Sequence, residues 1–399
     1  MTDKTIDRRS ILRRTAWAIA GLAITTKRVG GVVLRAAGAT GHLIAPPWAP
    51  PSGRTWEGLE EDSGQRIARV KVEPDRIIRI VTGLRPFRPS GFVVRGERLG
   101  GKTVVHNYGH GGCGVTLSWG TANLAVAEGL KTIHRRAAVL GCGAVGLATA
   151  RLLQDHGFQV TIYAKALSPD TTSNIAGALW GPVTLSDHDH RTPAFATQFG
   201  EACRFAHRYF QLLVGQRYGV GWVPIYYLGD SAPDHQSWEA SIVPELYTIA
   251  PVPREANPFP AAYVFRRDAM MIEPNTYLPA VMSDFCVRGG KIVVRDFPNL
   301  PSVLRLTEPL IFNCTGLGAK QLFHDKELDP IKGQLTVLEP QPEVDYGLIS
   351  RTDDLYMFPR NDGIVLGGSH EDGEWSLEPS KTEAERIFQG HKKLFAEMH

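Results

Sequence analysis

Residues 137–163 read AAVLGCGAVGLATARLLQDHGFQVTIY. The apolar run Ala137 to Leu140 leads directly into Gly141-Cys142-Gly143-Ala144-Val145-Gly146, the spacing G-x-G-x-x-G. A helix is expected from Gly146 to Asp155, ended by Gly157, and a second strand from Gln159 to Tyr163. Strand, glycine turn, helix and strand make a βαβ unit. In that setting Gly141 permits the tight turn, Gly143 lets backbone approach a pyrophosphate, and Gly146 lets the helix pack on the strand. The free N–H groups at the helix start then face the phosphates. Such a spacing means little alone; inside a βαβ unit it points to a bound dinucleotide. One position departs from the pattern. An acidic residue is expected after the second strand, yet the chain reads Tyr163-Ala164-Lys165-Ala166. Lys165 accepts no hydrogen bond, so backbone or water must serve the ribose there, or a phosphate is favoured.

Outward from this unit, the chain has 399 residues, which suggests two to three domains. Net charge is +3, from 44 basic and 41 acidic side chains, which argues against a dedicated nucleic-acid binder. Five cysteines do not read as a disulfide framework. The charge is uneven. Residues 1–39 carry Lys4, Arg8, Arg9, Arg13, Arg14, Lys27, Arg28 and Arg35 against Asp3 and Asp7, so the remaining 360 residues are slightly acidic, at −3. Asp7-Arg8-Arg9-Ser10-Ile11-Leu12-Arg13 resembles a twin-arginine export signal, followed by an uncharged run from Thr15 to Thr26 and small residues at Ala37-Gly38-Ala39. The run is shorter than the roughly 20 residues a membrane span needs. The expectation is therefore export to the periplasm or cell envelope, through the twin-arginine machinery, with no stable membrane span; a cytoplasmic location is the alternative. Residues 45–53, APPWAPPSG, read as a proline-rich linker.

Further motifs flank the βαβ unit. Val104-Val105 reads as a strand before a glycine cluster at 109–114, and Leu117 to Leu130 as a helix of small and apolar residues. Lys291 to Val294, Ile311-Phe312, Gly333 to Leu338 and Ile364 to Leu366 read as strands, and Lys381 to Met398 as a terminal amphipathic helix. Ile311-Phe312-Asn313-Cys314-Thr315-Gly316 is a second small-residue turn after a strand.

Five separated stretches together resemble the D-amino-acid oxidase family, which includes D-aspartate oxidase. They are Gly83-Leu84-Arg85-Pro86; Val104-Val105-His106-Asn107-Tyr108-Gly109-His110-Gly111-Gly112-Cys113-Gly114 with Gly120-Thr121-Ala122; the glycine turn; Thr171-Thr172-Ser173-Asn174-Ile175-Ala176-Gly177-Ala178-Leu179-Trp180; and Tyr356-Met357-Phe358-Pro359 with Leu366-Gly367-Gly368 and Trp375-Ser376. The resemblance implies an α/β protein with an FAD-binding Rossmann-type domain and a mixed or antiparallel β-sheet substrate domain. The order of the motifs is changed. Family members begin at the glycine turn and end with the arginine and His-Asn-Tyr-Gly motifs, which here come first, so a circular permutation is inferred. The expected divisions are a signal at 1–39, a linker at 40–65, the permuted C-terminal part at 66–136, the FAD-binding βαβ at 137–185, the substrate domain at 186–290, a return to the FAD-binding domain at 291–330, and the rest of the substrate domain with the terminal helix at 331–399.

The implied reaction is oxidative deamination of a D-amino acid to a 2-oxo acid, with hydride passing to the flavin and O2 then giving hydrogen peroxide. By resemblance, Arg85 grips the substrate carboxylate with a two-pronged guanidinium, Tyr356 adds its hydroxyl, and the Gly112 carbonyl accepts the ammonium. FAD contacts are assigned to Gly141, Cys142, Gly143, Ala144, Val145, Gly146, Ala164, Lys165, Thr172, Ser173, Gly177, Cys314, Thr315, Gly316, Gly109, Gly111, Gly114 and Thr116. His106 and His110 are read as structural, since hydride transfer needs no base. Asp187-His188-Asp189-His190 is read as a solvated turn without a metal. Cys113 and Gly181 stand where the family carries an aromatic and a glutamine. His370 lies where members acting on acidic substrates place an arginine, and a partly protonated His370 is expected to help hold a second carboxylate. D-aspartate oxidase, glycine or amine oxidase, a flavin dehydrogenase and a non-catalytic flavin-binding protein remain alternatives, and homodimer formation is left open.

Overall fold

A computed structural model of the chain describes residues 4–6, 67–231 and 237–399. The signal and linker readings, apart from residues 4–6, lie outside the described residues. Two sheets dominate. The first contains β1 (Lys4–Ile6), β3 (Val93–Leu99), β4 (Lys102–Tyr108), β5 (Arg136–Leu140), β6 (Gln159–Ala164), β10 (Lys291–Val294) and β11 (Leu310–Asn313), in the order β1-β10-β6-β5-β11-β4-β3. Its five inner strands run parallel, and β1 and β3 pair antiparallel at the edges. Parallel strands are covered on both faces, which is why β5, β11 and most of β4 are apolar without alternation.

Long helices cover one face: α1 (Ser118–Leu130), α2 (Ala144–Asp155), α3 (Pro193–Leu212) and α4 (Pro274–Val287). The small residues of α1 are there for close crossings. A Cβ on Gly120 would fall 1.9 Å from the Ala202 carbonyl oxygen of α3, and one on Gly129 would strike the Phe312 ring at 2.7 Å. Trp119 stacks on Tyr209 of α3, ring centroids 3.8 Å apart. The other face of the sheet packs Val104, Ala138, Leu140 and Ile311 against Phe297, Val303 and Leu306.

The second sheet is built from β2 (Ile77–Phe87), β7 (Val220–Gly229), β8 (Ala250–Pro251), β9 (Tyr263–Ile272), β12 (Asp329–Leu338), β13 (Gly347–Ser350), β14 (Leu355–Arg360), β15 (Gly363–Gly367) and β16 (Glu371–Asp372). It is mixed: β13 pairs parallel with β7, while the other pairings are antiparallel. The longest ladder joins β2 to β12, from Asp329 opposite Phe87 to Leu338 opposite Ile77. The terminal helix α5 (Lys381–Ala396) packs on β12, β14 and β15. Its end lies beside the start of the first long described segment, where the Arg69 guanidinium donates to the Met398 carbonyl. Residues 68–399 thus form one compact unit.

Candidate active site

The first sheet delivers the glycine turn to the end of a large cavity. Gly141 has φ +103°, open to glycine but strained for other residues. A Cβ on it would lie 2.4 Å from the Cys314 carbonyl oxygen, and one on Gly146 would lie 2.2 Å from the Gly141 carbonyl oxygen. The strand-to-helix turns after β5 and β11 are therefore pressed together with no space for side chains. Gly143 begins α2 with extended backbone, and the Ser173 hydroxyl accepts from the Ala144 N–H at 3.0 Å. The small-residue turn after β11 is fixed by the Asn313 side-chain oxygen, which accepts from the Thr315 N–H at 3.2 Å and from its hydroxyl at 2.7 Å.

The cavity has a volume of about 1730 Å³ and runs from this turn to Arg85 and Tyr356. Single small-molecule pockets are commonly about 300–1,000 Å³, so the space takes a dinucleotide with a substrate beside it. The bare glycine cradle at a helix N-terminus fits a pyrophosphate. All the residues expected to contact FAD line this cavity except Gly109. Gly109, at φ +81°, turns the chain beneath Arg88, whose Cδ would be 2.5 Å from a Cβ there. Thr116 lines the wall, but its hydroxyl is shared with the backbone of Gly181, at 3.3 and 3.4 Å.

The second sheet builds the opposite end. Arg85, on β2, lies flat across Gly333 of β12, whose Cβ, if present, would be 2.5 Å from Arg85 Nη2. Tyr356, on β14, lies flat across Gly367, its register partner on β15, with a gap of 2.2 Å between its ring and a Cβ built there. Two glycines thus form a floor for an arginine and a tyrosine. Both side chains line the same cavity, and the Arg85 charge acts on the Tyr356 hydroxyl. Burial raises the Tyr356 pKa against the opposing pull of Arg85, so the hydroxyl stays protonated and able to donate. Arg85 Nη1 donates to the Ser369 carbonyl at 3.1 Å. Gly112 is exposed at this end, with a Cβ position 3.8 Å from Arg85 Cδ.

His370 lies beside Arg85. It lines the cavity, with Nδ1 3.3 Å from Arg85 Nη1 and Nε2 3.5 Å from the Asp354 carboxylate. Burial, then Arg85, lowers its pKa, and the nearby Asp354 and Asp372 oppose this. The protonated form expected from sequence is disfavoured; the neutral ring accepts from Arg85 and holds it in place. His106 bridges three strands, to Glu97 at 2.7 Å and to Asn313 at 3.0 Å. His110 is fully buried against Phe92 and bonds Thr121 at 2.9 Å. Both hydrogen-bond to side chains of the framework. His188 and Asp189 are exposed and contact each other at 3.1 Å. Burial pushes the Cys113 thiol up, and it donates to the Val183 carbonyl at 2.6 Å.

The family pattern of the FAD dependent oxidoreductases, DAO, matches residues 136–398, beginning at the first residue of β5. The chain belongs to this family. As a member it is an oxidoreductase that uses FAD, and the cavity described above has the size and the glycine cradle to fit the cofactor. It is 26% identical over 267 residues to a D-amino acid oxidase from Dugesia ryukyuensis, covering 64% of this chain and 76% of that protein. It is 30% identical over 256 residues to a D-amino-acid oxidase from Streptomyces coelicolor, covering 62% and 74%. It is 27% identical over 259 residues to the D-aspartate oxidase of Homo sapiens, covering 63% and 73%. Gly333, Asp354 and the Ser369 carbonyl, which shape the setting of Arg85, carry no motif, and sequence reading missed them.

Proposed function

We propose that the chain oxidises D-amino acids to 2-oxo acids, consuming O2 and water and releasing ammonia and hydrogen peroxide. The carrying observation is the Arg85–Tyr356 pair, laid flat over Gly333 and Gly367 at the far end of the cofactor cavity. When bound, FAD supplies the acceptor for the substrate's Cα hydride and the route to O2. The protein's part is placement. Arg85 takes the α-carboxylate, since a guanidinium matches both carboxylate oxygens. Tyr356 donates a further hydrogen bond to the same group. Gly112, beside Arg85, offers its backbone carbonyl to the ammonium. His370 and the Ser369 carbonyl keep the guanidinium aligned. The test is a flavin spectrum of the purified protein followed by peroxide release on matched D- and L-amino acids. Peroxide from L-isomers only, or an Arg85→Ala variant as fast as wild type, would overturn the reading.

Two further parts of the reading concern the chain as a whole. The motif order is that of a circular permutation, supported by a family match that starts at β5 while β2 and β4 lie upstream in the same two sheets and α1 packs on β3 and β4. The Arg8-Arg9 segment supports export by the twin-arginine route.

A further inference from the structure

A second arginine lines this cavity, and among the described residues no acid is paired with it. Arg267, on β9, places its guanidinium 5.6 Å from the ring centre of Tyr227 and 5.5 Å from that of Tyr247. Its charge acts on the Tyr227 hydroxyl as well as on the ring. Nη1 donates to the Leu246 carbonyl at 3.2 Å and Nη2 to the Trp180 carbonyl at 3.4 Å, while Nε is buried without a partner. Every one of these neighbours is neutral. Asp268, next in sequence, is paired with Arg266 at 3.2 Å. The acid of the nearby wall, Glu239, is paired with Arg191 at 3.3 Å.

A guanidinium stays charged at any working pH, and a half-buried charge without a counter-charge is costly. Such an arrangement is tolerated where a ligand supplies the missing charge. Arg267 with Tyr227 repeats, on another pair of strands, the arrangement of Arg85 with Tyr356. Gly181 leaves the approach open: a Cβ there would touch Arg267 Nη2 at 3.7 Å. We propose that Arg267, with Tyr227, binds a second carboxylate at the far end of the substrate, so that the chain selects acidic D-amino acids. This rests on the D-amino-acid reading above and moves the role expected of His370 to a different residue and strand.

The test compares wild type with Arg267→Met and Arg267→Lys on D-aspartate, D-glutamate, their amides D-asparagine and D-glutamine, and D-alanine, by peroxide release. Wild type is expected to favour each acid over its amide. Arg267→Met lowers the acid-to-amide ratio of kcat/KM by about 10- to 100-fold, mainly through KM, the range set by one charge-assisted contact. Arg267→Lys recovers part of it. Malonate binding, followed by flavin absorbance, should weaken in Arg267→Met relative to acetate binding. A ratio unchanged in Arg267→Met, or a wild type that favours the amides, overturns the proposal. If no D-amino acid gives peroxide, the underlying reading fails, and the malonate titration still decides whether Arg267 holds a second carboxylate.

Discussion

Individual side chains divide here between holding substrate and holding one another. Arg85→Lys keeps the charge but loses the planar pair of donors, so kcat/KM for D-alanine should fall about 100-fold in peroxide assays. His370 is held neutral, and its pKa lies below the ordinary value because of burial and Arg85. Acidification protonates it, removes the acceptor facing Arg85, and sets two cations 3.3 Å apart. KM should therefore rise on the acid side of about 6.5, and a His370→Asn variant should lack this limb in a KM–pH profile. His110 carries a stability prediction. The Thr121 hydroxyl donates to the Leu117 carbonyl, so His110 Nε2 donates to Thr121, and burial lowers the His110 pKa to about 3. The unfolded chain takes up a proton near pH 6.5 that the folded one refuses. Stability is then full above that pH and is lost as pH falls from about 6.5 towards 3, at up to about 1.4 kcal/mol per pH unit. Thermal midpoints measured between pH 7 and pH 5 should fall more steeply in wild type than in a folded His110→Gln variant. An unchanged slope would sink this account.

At the scale of elements, the turns were legible from sequence and the walls were not. Gly141 and Gly146 could be read because backbone pressed on backbone leaves glycine as the sterically allowed residue, and that necessity shows as spacing. Gly146→Ala places a Cβ 2.2 Å from the Gly141 carbonyl oxygen. It should cost about 1–3 kcal/mol and yield protein without bound flavin, seen as loss of the yellow spectrum and a lower melting temperature. Strands β10, β11 and β15 could be placed because buried apolar runs announce themselves. Arg267 could not be read, because Arg266-Arg267-Asp268 looks like an exposed charged strand. Only pairing with β7 shows that Arg267 turns toward the cavity while its neighbours do not. The setting of His370 was hidden for a related reason: its position was visible, but a histidine's charge is set by its neighbours, and those come from β2 and the turn before β14.

For the molecule as a whole, the proposed permutation makes a direct prediction. A chain joined from His399 to Ala68 and opened within residues 131–135, between α1 and β5, should fold, bind flavin and turn over at a rate within about threefold of the natural order. The Arg69–Met398 contact brings the joined ends together, and Ile133 in the new opening is 92% exposed. An insoluble or colourless product would count against the permutation. The β2–β12 ladder also acquires a history that its final geometry hides. Partners such as Phe87 and Asp329 lie more than 240 residues apart in the chain. At about 5–20 residues per second, the ribosome releases the strand bearing Arg85 about 12–50 s before its partner exists. In the other order of assembly, that strand would emerge after β12, onto a waiting edge. The same finished contacts thus come with a long interval in which eleven residues of strand stand unpaired, and the burden of this chain order falls on synthesis, as a demand for chaperone cover, more than on the finished protein.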